Sequence, residues 1–145
     1  MELIIKKAFM QVLKDTLGAT PACVENKLLK GYLSSIDVAF EDGTHNTITF
    51  VSSKEFLEFL GEGLFGEIVS SELELRDLSQ ELANLTIGLA KVLAVRENVN
   101  FNITTPRVFG LGEFQNAHCK SLNFALNGAT CSLFMHIIKE KYASR

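Results

Sequence analysis

The chain has 145 residues, 47% of them apolar, with 11 Phe, no Trp and a formal net charge of −3. A chain of this length fits one domain over residues 1–145, able to bury roughly 68–70% of its unfolded surface without metals or disulfides, and its apolar content excludes a disordered chain. A net acidic balance with scattered Lys and Arg excludes a nucleic-acid binder, which needs a basic patch to neutralise phosphates.

Residues 3–16 predict a first helix, with Leu3, Ala8 or Phe9, Val12, Leu13 and Leu17 on one side and Gly18 as its C-cap. Thr20-Pro21 opens an extended region, and from Tyr32 to Phe40 the alternation of Tyr32, Ile36, Val38 and Phe40 against Ser35, Asp37 and Ala39 predicts a half-buried strand. Glu41-Asp42-Gly43 carries hairpin chemistry, because Asp-Gly tolerates positive φ. The return strand over 47–51 turns Ile48 and Phe50 inward and Thr47 and Thr49 outward. Ser52-Ser53-Lys54-Glu55 reads as a serine-capped start for a short helix over 53–60.

Gly61, Gly63 and Gly66 predict a loop between two halves of the chain; G-E-G-L-F-G matches no phosphate-binding loop. A long helix follows from Ser70 or Ser71 to about Val95, roughly 37 Å at 1.5 Å per residue. Residues 98–104 alternate cleanly as a strand, which Pro106 ends. The segment through Gly110 and Gly112 reads as a loop, residues 118–126 as a strand burying Leu122, Phe124 and Leu126, and Asn127-Gly128 as the strongest hairpin signal in the chain. Residues 129–138 are apolar on both alternating sets, so they predict a strand covered on two sides, with a buried helix as the other reading. Lying last in the chain, this strand is expected at a sheet edge, where open backbone groups invite a second chain.

The long helix divides into two stripes. Leu75, Leu78, Leu82, Leu85, Leu89 and Val92 form an apolar line, and Asp77, Glu81, Asn84, Gly88 and Lys91 recur on another side, with the small Ala83 and Gly88 leaving room for a partner. A lone Glu-x-x-Asn is usually a solvated helix face; here a carboxylate and a carboxamide stand one turn apart in a longer pattern. Asp77 sits in the first turns, where the helix dipole favours negative charge, and Lys91 reads as a solvated surface residue. Both are expected to be structural.

Cys23, Cys119 and Cys131 form no C-x-x-C pair, and His45, His118 and His136 stand far apart, so neither a disulfide framework nor a metal site is expected. No run of 18 apolar residues exists, and M-E-L-I-I-K-K lacks the features of a signal peptide, so a cytoplasmic protein that does not enter a membrane is expected.

The pattern D-x-x-x-E-L-x-N-x-x-x-G-x-A-K from Asp77 to Lys91, followed by an extended segment ending in T-P-R-V-F-G-L-G, resembles the CheX branch of the CheC/CheX/FliY phosphatases of bacterial chemotaxis. The resemblance is tight from Asp77 to Gly112 and elsewhere holds in length and element order. It departs at Leu89, where the family often has Asn, a difference of packing since Leu89 falls on the apolar line. The resemblance implies a single α+β domain of pseudo-duplicated αβββ units, with a mainly antiparallel sheet and two long helices on one face. It implies removal of the phosphoryl group from an aspartate of a CheY-type response regulator, with Asn84 positioning the water and Glu81 engaging the regulator's lysine. No cofactor of its own is implied, the magnesium ion being carried by the regulator, and a homodimer joined through its sheets is implied as well. Two other classes remain open: a docking domain of the same fold that binds a regulator or flagellar switch component without hydrolysis, and a small-molecule binder using a pocket beneath the phenylalanine-rich sheet, although core packing explains the phenylalanines more simply.

Overall fold

The computed structural model describes residues 1–104, 106–118 and 120–139. Helix α1 runs Glu2–Leu17 and stops at Gly18, whose φ of 67° is left-handed and whose N–H bonds the Lys14 carbonyl. A two-residue strand β1, Ala22–Cys23, precedes β2, Lys30–Phe40, and β3, Thr44–Ser52. These last two form the expected hairpin, turning at Gly43 with a φ of 89°. Helix α2, Lys54–Phe65, is capped by Ser53, whose hydroxyl accepts from the Phe56 N–H at 3.2 Å. Helix α3, Glu72–Arg96, is capped in the same way by Ser71. Strands β4 Phe101–Ile103, β5 Arg107–Glu113, β6 Lys120–Leu126 and β7 Ala129–Lys139 complete the chain. Asn127 and Gly128, both at positive φ, make the tight turn between β6 and β7.

All seven strands join one antiparallel sheet in the order β1-β6-β7-β3-β2-β4, with β5 also on β2. The order contains the expected duplication. The hairpins β2–β3 and β6–β7 meet at the β3–β7 pair in the middle, β1 of the first unit borders β6 of the second, and β4 and β5 of the second border β2 of the first. The two long helices cover one face as expected, α1 and α3 lying side by side, and the shorter α2 packs on both and on β7. The core between these layers is held by a run of stacked rings, Phe9 of α1 lying 6.0 Å from Phe56 of α2 and 4.5 Å from Phe124 of β6.

Several expectations need correction. Gly61 and Gly63 lie inside α2, which continues to Phe65. Neither breaks the helix because each is a point of close approach: a Cβ at Gly61 would come within 2.7 Å of Val69, and one at Gly63 would strike the Thr16 carbonyl. The segment read as a loop through Gly110 and Gly112 is β5, which crosses β2 with a register shift at Leu33/Ser34. The strand expected over 98–104 is only Phe101–Ile103 long, because α3 ends in a turn at Asn98 with a φ of 62°. Leu122 of β6 is only partly buried, whereas Phe124 and Leu126 are buried as expected.

The strands are also less one-sided than alternation suggested. Leu33, Val51, Phe114 and Phe134 form a second buried cluster on the sheet face away from the helices, with Phe114 and Phe134 stacked at 4.2 Å. This explains why residues 129–138 are apolar on both sets: Cys131, Leu133 and Met135 meet the helices and Phe134 meets the second cluster. The strand reading holds, yet β7 is no edge. It is paired with β6 along 129–135 and with β3 along 131–139, so only its last residues, 136–139, run beyond β6. The open edges among the described strands are β1 and the β4/β5 side, so the expected pairing of C-terminal strands across a dimer has no long free edge to use.

Cys131 is buried, and its thiol is pushed up to about 12 by desolvation. Cys23 is exposed, and Cys119 lies outside the described residues. Across β2 and β5, the Arg107 guanidinium grips Asp37 through bonds of 2.8 and 3.0 Å, which hold the Asp37 carboxyl below its ordinary value. No helix is long and apolar enough to cross a membrane among the described residues.

Candidate functional site

The buried side of α3 differs from the line of leucines that the sequence suggested. Leu75, Leu78 and Leu82 are buried, but the stripe then passes to Ala83, Thr86, Ile87, Ala90 and Ala94, while Leu85 and Leu89 are half-buried and Val92 is exposed. Small residues let the helix lie close on β2, and the Ser34 hydroxyl donates to the Ser79 carbonyl at 2.9 Å across that contact. The larger Leu89 and Leu93 sit to one side, near Met10 of α1. Ala83 therefore belongs to the core and not to the polar face. Near the start of α3, the buried Tyr32 hydroxyl donates to Glu72 at 2.6 Å; desolvation first and then this bond push Tyr32 up to about 12. These two bonds fix the helix on the sheet and thereby fix which side faces outward.

That outward side carries Asp77, Glu81 and Asn84, all exposed, followed by half-buried Gly88 and Lys91. Glu81 and Asn84 are one turn apart, about 4.5 Å along the axis, near the middle of the 25-residue helix. Among the described residues neither side chain makes a hydrogen bond or ion pair within the chain. The ordinary alternative, a Glu81 held by Arg76 or Lys91, is not what the geometry gives. Arg76 instead lies over β5, where a Cβ at Gly110 would sit 3.3 Å from its Nε. Lys91 is ten residues on, about 15 Å along the axis.

Gly88 adds to this. A Cβ there would meet nothing within 4 Å, so the fold does not need glycine at that position, although glycine in a helix interior costs about 0.5–1 kcal/mol relative to alanine. An open, low-profile surface beside Glu81 and Asn84 is the consequence.

The pair lines a cleft of about 510 Å³ together with Asp77, Gln80, Glu74 and Leu78 of α3 and with Phe65, Glu67 and Val69 from the end of α2 and the connection after it. Four carboxylates, Glu67, Glu74, Asp77 and Glu81, face this space, and among the described residues no Lys or Arg lines it. The wall supplied by Phe65, Glu67 and Val69 is not legible in the sequence, because the glycines at 61, 63 and 66 give this stretch the pattern of a plain loop. Among the described residues no group of three or more His, Cys, Asp or Glu is placed to hold a metal ion.

No family model matches the chain, and no curated protein matches it in sequence. Solved structures do match. A CheC-like superfamily protein from Shewanella sp. PV-4 superposes with a TM-score of 0.78 at 20% identity, covering 94% of this chain and 96% of that one. The chemotaxis protein CheX from Vibrio vulnificus gives a TM-score of 0.80 at 15% identity over 94% and 95% of the two chains. A chain of the CheX–CheY–BeF3–Mg2+ complex from Borrelia burgdorferi gives 0.67 at 18% identity over 96% and 97%. This chain has the CheC/CheX-like fold over nearly its whole length.

Proposed function

We propose that the protein is a phosphatase acting on the aspartyl phosphate of a CheY-type response regulator. The observation that carries this reading is the exposed, internally unpartnered Glu81–Asn84 pair on the outward side of a helix fixed to a CheC/CheX-like sheet. The Borrelia burgdorferi protein of the same fold was crystallised with CheY bearing BeF3 and Mg2+, which supports a phosphorylated regulator as the partner.

Hydrolysis forms a bond from the water oxygen to phosphorus and breaks the bond from phosphorus to the aspartate oxygen, releasing a free carboxylate and inorganic phosphate. The protein's share of this work is positioning and charge stabilisation. Asn84 suits the task, since its amide oxygen accepts a hydrogen bond from the attacking water and its nitrogen donates to a phosphoryl oxygen without adding negative charge. Glu81 could not approach those oxygens without repulsion. Its role is to receive the ammonium of a regulator lysine, which draws the regulator into register over Asn84. The magnesium ion comes with the regulator, where it offsets the negative charge of the phosphoryl group beside an acidic cleft.

This assignment of Glu81 predicts that Glu81→Gln, which keeps the shape and removes the charge, weakens association with the phosphorylated regulator and flattens the dependence of binding on ionic strength. Titrations at two salt concentrations check it. Equal salt slopes for the variant and the unaltered protein would argue against an ion pair at Glu81.

A further inference from the structure

We infer that the regulator's footprint extends from Asn84 into the cleft beneath the end of α2, with Phe65 as an apolar anchor that sets affinity while taking no part in the chemistry. This rests on the function proposed above and adds to it a docking wall from a different element. Phe65 is 62% exposed although it is a large aromatic side chain, and Ile68, three residues on, is 64% exposed. Neither is needed by the core, whose phenylalanines at 9, 50, 56 and 124 are almost fully buried. Phe65 is held in place, however: it is the last residue of α2, and Gly66 behind it closes the helix in a left-handed conformation with a φ of 77°.

The cleft that Phe65 lines is continuous with the site, because Asn84 and Glu81 line it too. Its chemistry defines the complement. An aromatic wall beside four carboxylates, with no Lys or Arg in the lining among the described residues, fits an element that offers an apolar side chain flanked by Lys or Arg. A regulator whose lysine meets Glu81 brings such an element into the same space. The apolar contact is made equally before and during hydrolysis, so it acts on binding and leaves the turnover step alone.

The test compares Phe65→Ser with the unaltered protein in two assays. One is titration with the regulator charged with beryllofluoride and magnesium; the other is steady-state hydrolysis of the phosphorylated regulator. The expected result is a Kd and a KM raised about tenfold with kcat within twofold, and an unchanged melting temperature because the side chain is already outside the core. Glu67→Gln, on the same wall, should raise Kd at low salt and not at high salt. A Kd unchanged within twofold for Phe65→Ser, or a loss confined to kcat, would overturn the inference. Tight binding by the unaltered protein without any hydrolysis would overturn the phosphatase reading and leave this docking wall standing, so the two failures are separable.

Discussion

Asn84→Ala should lose at least about a hundredfold of the accelerated dephosphorylation, the scale seen when one preorganised hydrogen-bonding group is removed from an active site, while affinity for the beryllofluoride-charged regulator changes by less than about threefold. The reasoning begins with packing. Asn84 is exposed, makes no hydrogen bond within the chain among the described residues, and sits opposite the face that meets β2, so its removal leaves no cavity and no unpaired group. Its loss therefore has no route to the fold except through helix propensity, and alanine is the better helix former. What disappears, under the proposed function, is the acceptor that orients the water. Stopped-flow decay of the phosphorylated regulator, paired with a thermal melt, separates the two effects. Normal turnover in this variant would remove Asn84 from the mechanism.

The second large effect concerns the fold itself. Phe9→Ala should cost about 3–5 kcal/mol, the usual toll for truncating a fully buried aromatic ring, out of a total that is typically about 5–15 kcal/mol. Phe9 is completely buried and touches both Phe56 and Phe124, so one ring joins α1 to α2 and to the sheet beneath them. α1 in turn packs along α3, and its loosening would reach the helix that carries Glu81 and Asn84. Urea unfolding followed by circular dichroism reads the cost directly. A loss below about 1 kcal/mol would mean that the three rings do not act as the common contact of these layers.

Much of the architecture was legible because local chemistry and tertiary structure agree. Gly18, Ser53, Ser71, Gly43 and Asn127-Gly128 act where their backbone preferences place them. The polar side of α3 was legible for the same reason, since a period of 3.6 residues separates it from any buried stripe. The buried stripe itself was misread by counting leucines. The buried side includes Ser79, Ala83, Thr86 and Ala90, and small residues carry little hydrophobic signal. β5 escaped notice because its pattern is broken by Gly110 and Gly112, and its place in the sheet is fixed by β2 at a distance of many residues. The glycines of α2 misled for the opposite reason: they look like breaks and are in fact contacts. The cleft could not be assembled from one segment, as Phe65, Glu67 and Val69 of its wall belong to α2 and the connection to α3.

The central claim is that this helix face shortens the life of an aspartyl phosphate. The most direct measurement is the decay of the phosphorylated CheY-type regulator from the same organism, charged with acetyl phosphate and followed by phosphate release, with and without one equivalent of the protein. The predicted result is a lifetime shortened at least about a hundredfold, a barrier reduction of about 2.7 kcal/mol and within the reach of one positioned water. A regulator that binds the protein and yet loses phosphate at its own unassisted rate would contradict the account and leave a docking domain in its place.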